Sequence, residues 1–325
     1  MSDLFWPGNA RAGALFTDKA FVAAMVAVES AWVGTTLDVP GLDLATEAGG
    51  NPVIPLVECL RKAHPEVEGL HDGLTSQDVL DTALVLMLRD AVTAVRRHLA
   101  EALGALEVLA TEHGQAPMTG RTLTQPALPI SFGDKVGSWR AGLAEADHDL
   151  GALVYPTQAG GPVGTGTEAR LARQMAQRLG LTDVPAWHTM RRPLTRAGDA
   201  LVATTDACGR IARDVLVLSR PEIGELSEGH GGGSSSMPHK CNPVLSVLVR
   251  RAALTTPALG ATLHLCAADQ VDERADGAWH AEWETLRILA RRTAVATAQT
   301  ADLLRDLRIH PERMAANLAA AEEAR

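Results

Sequence analysis

The chain has 325 residues and a net charge of −9 with a pI of about 5.7, which argues against the basic surface that nucleic acid or anionic lipid would require. Apolar residues make up 46% but aromatic ones only 3%, so a core built from Ala, Leu and Val is expected, as in helical bundles. Cys59, Cys208, Cys241 and Cys266 form no CxxC pair, and neither a signal segment nor a run of about 18 apolar residues is visible, so a cytoplasmic protein with no metal site, disulfide framework or membrane span is expected.

Residues 1–16 read as an irregular lead with Pro7, Gly8 and Gly13. Thr17 or Asp18 caps a helix predicted to run to about Leu37, and Phe21, Met25, Val28 and Trp32 form its packing face. A turn-rich stretch from Val39 to Pro55 and a short helix over Leu56–Ala63 follow. The segment from Gly69 to Ala83 opens the next helix, with Thr75 and Ser76 as caps and Asp78 in the first turn. Hydroxyls at a helix N-terminus also make a natural carboxylate site. Leu84, Leu88, Val92, Val95, Leu99, Leu103 and Leu106 continue the stripe to His113, with Gly114 as the stop. About 39 residues would span roughly 58 Å at ~1.5 Å each. Such a helix either breaks at a domain boundary or belongs to a long bundle.

Gly120 to Pro129, with Arg121 and Thr122, reads as a loop by its glycine and two prolines. A helix from about Ser131 to Leu153 leads to Gln158–Thr167, a Gly-rich loop that fits no phosphate-binding pattern. Helices over 167–179 and Leu194–Leu218 come next. From Gly229 to Pro243 the composition changes. Four glycines in five positions permit positive φ and close backbone approach. Ser234, Ser235, Ser236, Met237, Lys240 and Asn242 follow, and Pro243 can start a helix. A polar loop running into a helix N-terminus is anion-friendly. That helix is predicted to reach Ala268, with Pro257 as a candidate kink. Asp272–Leu286, carrying Arg274, Trp279, His280 and Trp283, opens another, and a last helix over Met314–Ala321 begins near Pro311. No strand alternation is sustained and no internal repeat is evident.

Gly233–Pro243 resembles the GSSxMPxKxNP loop of the fumarase/aspartase superfamily. His71–Ala83 resembles that family's H-x-G-x-T-S-x-D-x-x-D-T-A segment, and Gln158–Thr165 its Q-x-G-G-A-x-G-T loop. Gly120–Pro129 resembles its GRTHxQxAxP segment, with Leu123 where the lyases have histidine. Glu273–Leu286 resembles the segment E-R-x-x-G-A-W-H-x-E-W-E-T-L of the 3-carboxymuconate cycloisomerase branch, which also lacks that histidine.

The resemblance implies an all-α fold: a small N-terminal helical domain (1–95), a central long-helix bundle (96–308) and the start of a C-terminal helical segment (309–325). The family's further small C-terminal domain would be missing or truncated. It also implies a cofactor-independent enzyme without a metal, assembled as a homotetramer whose active sites are shared between subunits, acting on a small polycarboxylate. Ser234 would be the acid/base that exchanges the proton α to a carboxylate, with His71 and Lys240 as further catalytic groups. Thr75, Ser76, Gln77, Arg121, Thr122, Gln158, Ser235, Met237, Asn242, Arg274 and His280 would bind substrate. Serine is a poor base at its ordinary pKa, so Lys240, the helix N-terminus and loop amides would have to stabilise its alkoxide.

The expected reaction is the interconversion of 3-carboxy-cis,cis-muconate and 4-carboxymuconolactone, a step of aromatic-compound catabolism in the beta-ketoadipate pathway. The alternatives are a lyase releasing fumarate from a succinyl compound, a specialised-metabolism lyase, and a non-catalytic helical scaffold. Leu123 favours the first. An amine leaving group must be protonated as it departs, whereas a carboxylate, with pKa near ~4, needs no proton.

Overall fold

The computed structural model describes residues 3–38, 44, 46–166, 168–237 and 239–323. Part of the predicted turn-rich stretch (39–43 and 45), Thr167, Pro238 and Arg325 lie outside the described residues. The fold is helical throughout, with two short two-stranded ribbons.

Helix α1 (Asp18–Val33) starts where Thr17 Oγ1 accepts the Ala20 N–H at 3.2 Å, and it stops at Gly34, whose φ of 81° is left-handed. The stop comes four residues before the expected Leu37, because that glycine ends the helix. Helix α2 (Val53–Ala63) begins three residues before the prediction. Helix α3 (Ser76–His113) is one unbroken run of 38 residues, so the long-bundle alternative holds and the helix passes through residue 95 without a break.

The predicted loop after α3 is a β-hairpin instead, of β1 (Pro117–Thr122) and β2 (Gln125–Ser131). Pro126 and Pro129 hid it. Pro lacks the N–H that a central strand needs, but a two-stranded ribbon has open edges where that loss costs little. The turn is Leu123-Thr124, with φ of 48° and 70°. A tight turn of this kind ordinarily takes Asn-Gly.

Helices α4 (Phe132–Gly151), α5 (Ala169–Leu179) and α6 (Arg192–Leu218) follow, then strand β3 (Leu226–Ser227), α7 (Val244–Ala268) and α8 (Gly277–Arg305). Strand β4 (Arg308–Ile309) pairs with β3, and α9 (Pro311–Glu323) closes the described chain. Pro257 lies inside α7. Helices α3, α6, α7 and α8 pack along one another, with α4 laid against α3 and α6. Alanine and glycine let these backbones approach: a Cβ at Gly209 would collide with Ala253 across the α6–α7 seam. Core threonines turn their hydroxyls back onto the preceding helical turn, as Thr204 does to Ala200 O (2.8 Å) and Thr300 to Ala296 O (2.8 Å), so these hydroxyls are satisfied within their own helices.

Helices α3 and α8 define the ends of the bundle. Trp279, at the start of α8, donates its indole N–H to Asp81, in the first turns of α3, at 3.0 Å. At the other end the chain leaves α3 for the β1–β2 hairpin and leaves α8 for β4. Among the described residues α7 alone is long and apolar enough to cross a membrane. It packs along α6 and α8, and it leaves an apolar face outward, with Val247 52%, Leu254 66% and Leu265 70% exposed.

Candidate active site

At the first end, the N-terminus of α3, a loop over 69–75 is gripped from three sides. Trp32 of α1 donates to Asp72 O (3.0 Å), Arg61 of α2 donates to Leu70 O (3.0 Å), and His71 Nδ1 lies 2.6 Å from Glu29 Oε1. Thr75 caps α3 and donates its N–H to Asp78 Oδ2 at 2.9 Å. Asp78 also receives the N–H groups of Gly160 (2.7 Å) and Gly161 (2.9 Å) and faces His188 Nε2 (2.8 Å), which docks the Gly-rich loop onto the helix start. Gly160 has to be glycine, since a Cβ there would press into the His188 ring. Arg274, from the loop before α8, donates one guanidinium nitrogen to Thr75 Oγ1 and to Pro162 O (3.1 Å). Thr75, Arg274 and the 158–164 loop therefore meet, with Ser76 next in the chain and His71 on the loop that leads in. Hydroxyls, a guanidinium and a helix N-terminus in one place can hold a carboxylate.

Beneath this surface lies a buried ion cluster. The Arg191 guanidinium spans Asp81 (2.7 and 2.9 Å) and Glu282 (2.6 to 3.0 Å), and all three side chains are 0–1% exposed. Burial alone would lower the Arg191 pKa, but the two carboxylates outweigh it and the guanidinium stays charged. Burial pushes the Glu282 carboxyl above its ordinary range, against the pull of Arg191. Gln77 and Gln158, both expected at the substrate, are consumed here. Gln77 Nε2 donates to Asp81 and to His188 O, while Gln158 bridges Asp81 and the Trp187 N–H. Both are fully buried, so their amides order the site from behind. His280 sits on the outer side of α8, packed beside Trp279 and Trp283. It lines a separate cavity of about 420 Å³ with Phe16, Phe21, Leu84 and Met87.

The second end carries the other predicted residues. Arg121 makes a two-pronged pair with the fully buried Glu225 (2.7 and 3.0 Å), a carboxylate that Asn317 of α9 also reaches at 2.8 Å. Its guanidinium is thus committed to a protein carboxylate. Thr122 and the 95%-exposed Leu123 stand at the hairpin tip. The signature loop is pinched at its base by paired Gly232 and Asn242 backbones, 2.8 Å each way, and Asn242 Nδ2 donates to Gly233 O at 3.1 Å. Within it Ser234 Oγ accepts the Met237 N–H at 3.1 Å and faces that of Ser236 at 3.4 Å. Backbone donors aimed at a serine oxygen are what an alkoxide needs. Ser235, Met237 and Lys240 are exposed beside it.

Two expectations for this loop are corrected. Its described glycines do not adopt positive φ; close approach demands them, since a Cβ at Gly229 would strike Asp306 O and one at Gly232 would strike Val244. The N-terminus of α7 is also not free for an anion. Glu228 fills it, accepting the N–H groups of Leu245 (3.1 Å) and Ser246 (2.7 Å) and the Ser246 hydroxyl (2.6 Å).

The two groups of residues do not meet within one chain. Helix α8 carries the chain from Trp279 at the first end to Asp306, beside Gly229, at the second, roughly 40 Å at ~1.5 Å per residue. Sequence reasoning missed Glu29, Asp81, His188, Arg191, Glu225, Glu228 and Glu282 as parts of the site. The signal for Asp81 is a second carboxylate three residues after Asp78, in the apolar first half of the helix and at a matched position of the family segment. Glu282 is a matched position of the Glu273–Leu286 segment, and the rest carry no such signal, because their partners lie tens to hundreds of residues away.

A family model described as "Lyase" matches residues 40–256. Nitrosuccinate lyase of Streptomyces davaonensis is 37% identical, over 94% of this chain and 74% of its own. 3-Carboxy-cis,cis-muconate cycloisomerase of Bradyrhizobium diazoefficiens is 39% identical, over 91% of this chain and 69% of its own. Among solved structures, the 3-carboxy-cis,cis-muconate lactonizing enzyme from Pseudomonas putida superimposes with a TM-score of 0.84 at 31% identity, covering 94% of this chain and 76% of that one.

Proposed function

The chain belongs to the fumarase/aspartase lyase family, and we propose that within it this enzyme interconverts 3-carboxy-cis,cis-muconate and 4-carboxymuconolactone. One observation carries the reading: the Ser234–Lys240–Asn242 loop is intact while the hairpin tip offers the apolar Leu123. A proton acceptor is present, and a leaving-group acid is lacking at that tip. In lactone opening, Ser234 takes the proton α to a carboxylate. The electron pair passes through the aci-carboxylate and breaks the ring C–O bond at the β carbon, freeing a carboxylate that needs no proton. Lactonisation is the reverse, with Ser234 returning the proton. Similarity to named cycloisomerases supports this reading.

A second reading rests on the nitrosuccinate lyase match. Elimination from nitrosuccinate breaks a C–N bond and expels nitrite, also a weak base, so Leu123 suits it equally. Both reactions set this chain apart from lyases that expel an amine.

The reading includes assembly as a homotetramer. Thr75, Ser76, His71 and Arg274 stand at one end of the bundle and Ser234 and Lys240 at the other, so a whole site draws on a second copy. The outward apolar face of α7 is a suitable contact.

Incubation with 3-carboxymuconate, nitrosuccinate, adenylosuccinate and argininosuccinate tests the assignment. The expected result is loss of the muconate ultraviolet absorbance, with no fumarate from the last two. Nitrite release with muconate untouched would favour the second reading. Efficient fumarate release from either succinyl amine would overturn both.

A further inference from the structure

Glu29 has no part in the reaction as drawn above, yet its carboxylate is the most conspicuous buried acid near the first half-site. It sits on α1, 0% exposed, with Oε1 2.6 Å from His71 Nδ1 and Oε2 without any partner in the protein. Burying a carboxylate costs free energy unless it is paired and hydrogen-bonded, and here only one of the two oxygens is satisfied. His71 is also in an expensive state. Its φ is +65°, a left-handed conformation that a non-glycine residue holds only when its surroundings impose it.

Those surroundings are specific. Glu29 and Trp32, three residues apart on one face of α1, hold His71 and Asp72 in turn. Arg61 holds Leu70 from the other side, and Leu70 and Leu74 are buried to either side of the histidine. The His71 side chain keeps 18% of its exposure while its Nδ1 faces a carboxylate that is wholly inside. The edge left facing outward is therefore the Nε2 edge, on the same short loop that leads into Thr75 and Ser76.

We propose that Glu29 is a positioning residue for His71: it accepts the Nδ1–H, fixes that tautomer and ring orientation, and turns Nε2 toward the substrate half-site. A base or acid held by a hydrogen-bonded third group is a recurrent way to set which nitrogen exchanges protons. The inference rests on reading residues 71–76 as part of the substrate site. A plain helix-to-loop fastening would need the same Nδ1–H but would leave kcat unchanged.

The experiment is ¹⁵N spectroscopy of histidine-labelled wild type and Glu29→Gln, with His71→Gln to assign the signal, paired with kinetics on 3-carboxymuconate and nitrosuccinate. The wild-type His71 ring is expected to carry its proton on Nδ1. Glu29→Gln, whose amide can either donate or accept, is expected to give mixed tautomers. Turnover should fall about 10- to 100-fold with KM changed less than about threefold, the scale seen when a group orienting a functional histidine is lost. A wild-type ring with Nδ1 bare and Nε2 protonated would overturn the proposal. So would a variant with unchanged tautomer and unchanged kcat. The ring-nitrogen arm needs no substrate, so failure of the proposed activity and failure of this proposal are read separately. Should Glu29→Gln not fold, a wild-type ring with Nδ1 bare would still overturn the proposal.

Discussion

The two ends of the bundle solve different problems. At the first, the buried charges hold one another and a loop: Asp78 takes two loop amides and faces a histidine, and Arg191 is shared by two carboxylates. At the second, Ser234 lies in a loop pinched only at its base, with Lys240 and Leu123 presented outward. In the proposed site the first end is a receptor fixed in advance and the second a tool carried to it. The contrast teaches that electrostatic preorganisation here is supplied from underneath. A buried ion cluster adds little net stability, because desolvation consumes most of the Coulomb gain. It does fix geometry, since each member satisfies hydrogen bonds of the others.

The largest effect should come from breaking that support. Arg191→Met leaves Asp81 and Glu282 buried and facing each other. We expect a loss of about 3–5 kcal/mol in denaturant unfolding, the cost of an uncompensated buried charge. A loss under about 1 kcal/mol would mean that the cluster is not the frame of the first end.

A smaller effect is set by Glu282. Its carboxyl is raised above the ordinary value of 4.5, mainly by burial. A raised carboxyl favours folding while protonated, so its contribution is whole below about 4.5 and is lost as pH rises through the raised folded value. Glu282→Gln, permanently neutral, should therefore lose less melting temperature than wild type as the pH rises above about 4.5. Parallel curves for the two proteins would contradict this.

The same contrast explains what was legible in the sequence. The cap at Thr75–Ser76, the stop after His113 and the bounds of α6 follow from local signals, and the structure realises them to within a few residues. The signature loop was conspicuous because its glycines and serines are consecutive. Its capping acid was not: Glu228 reaches Ser246 across the whole loop. Arg191 meets partners 110 residues back and 91 ahead, a juxtaposition that no periodicity announces. The hairpin looks like a loop in the sequence because its second strand contains two prolines and its tip lacks the usual Asn-Gly. Gln77 and Gln158 were legible as residues but not as buried ones.

The central claim, that one end of each chain works against the opposite end of another, can be tested by mixing. Ser234→Ala disables the second end and His71→Ala the first, and each variant alone should retain under about 1% of wild-type turnover. Unfolded together in equal amounts and refolded, they should regain activity, approaching about a quarter of wild type if subunits of the oligomer mix at random and each site takes one half from each of two chains. Activity that stays at the level of the separate variants at every mixing ratio, while the mixed oligomers form, would contradict the account.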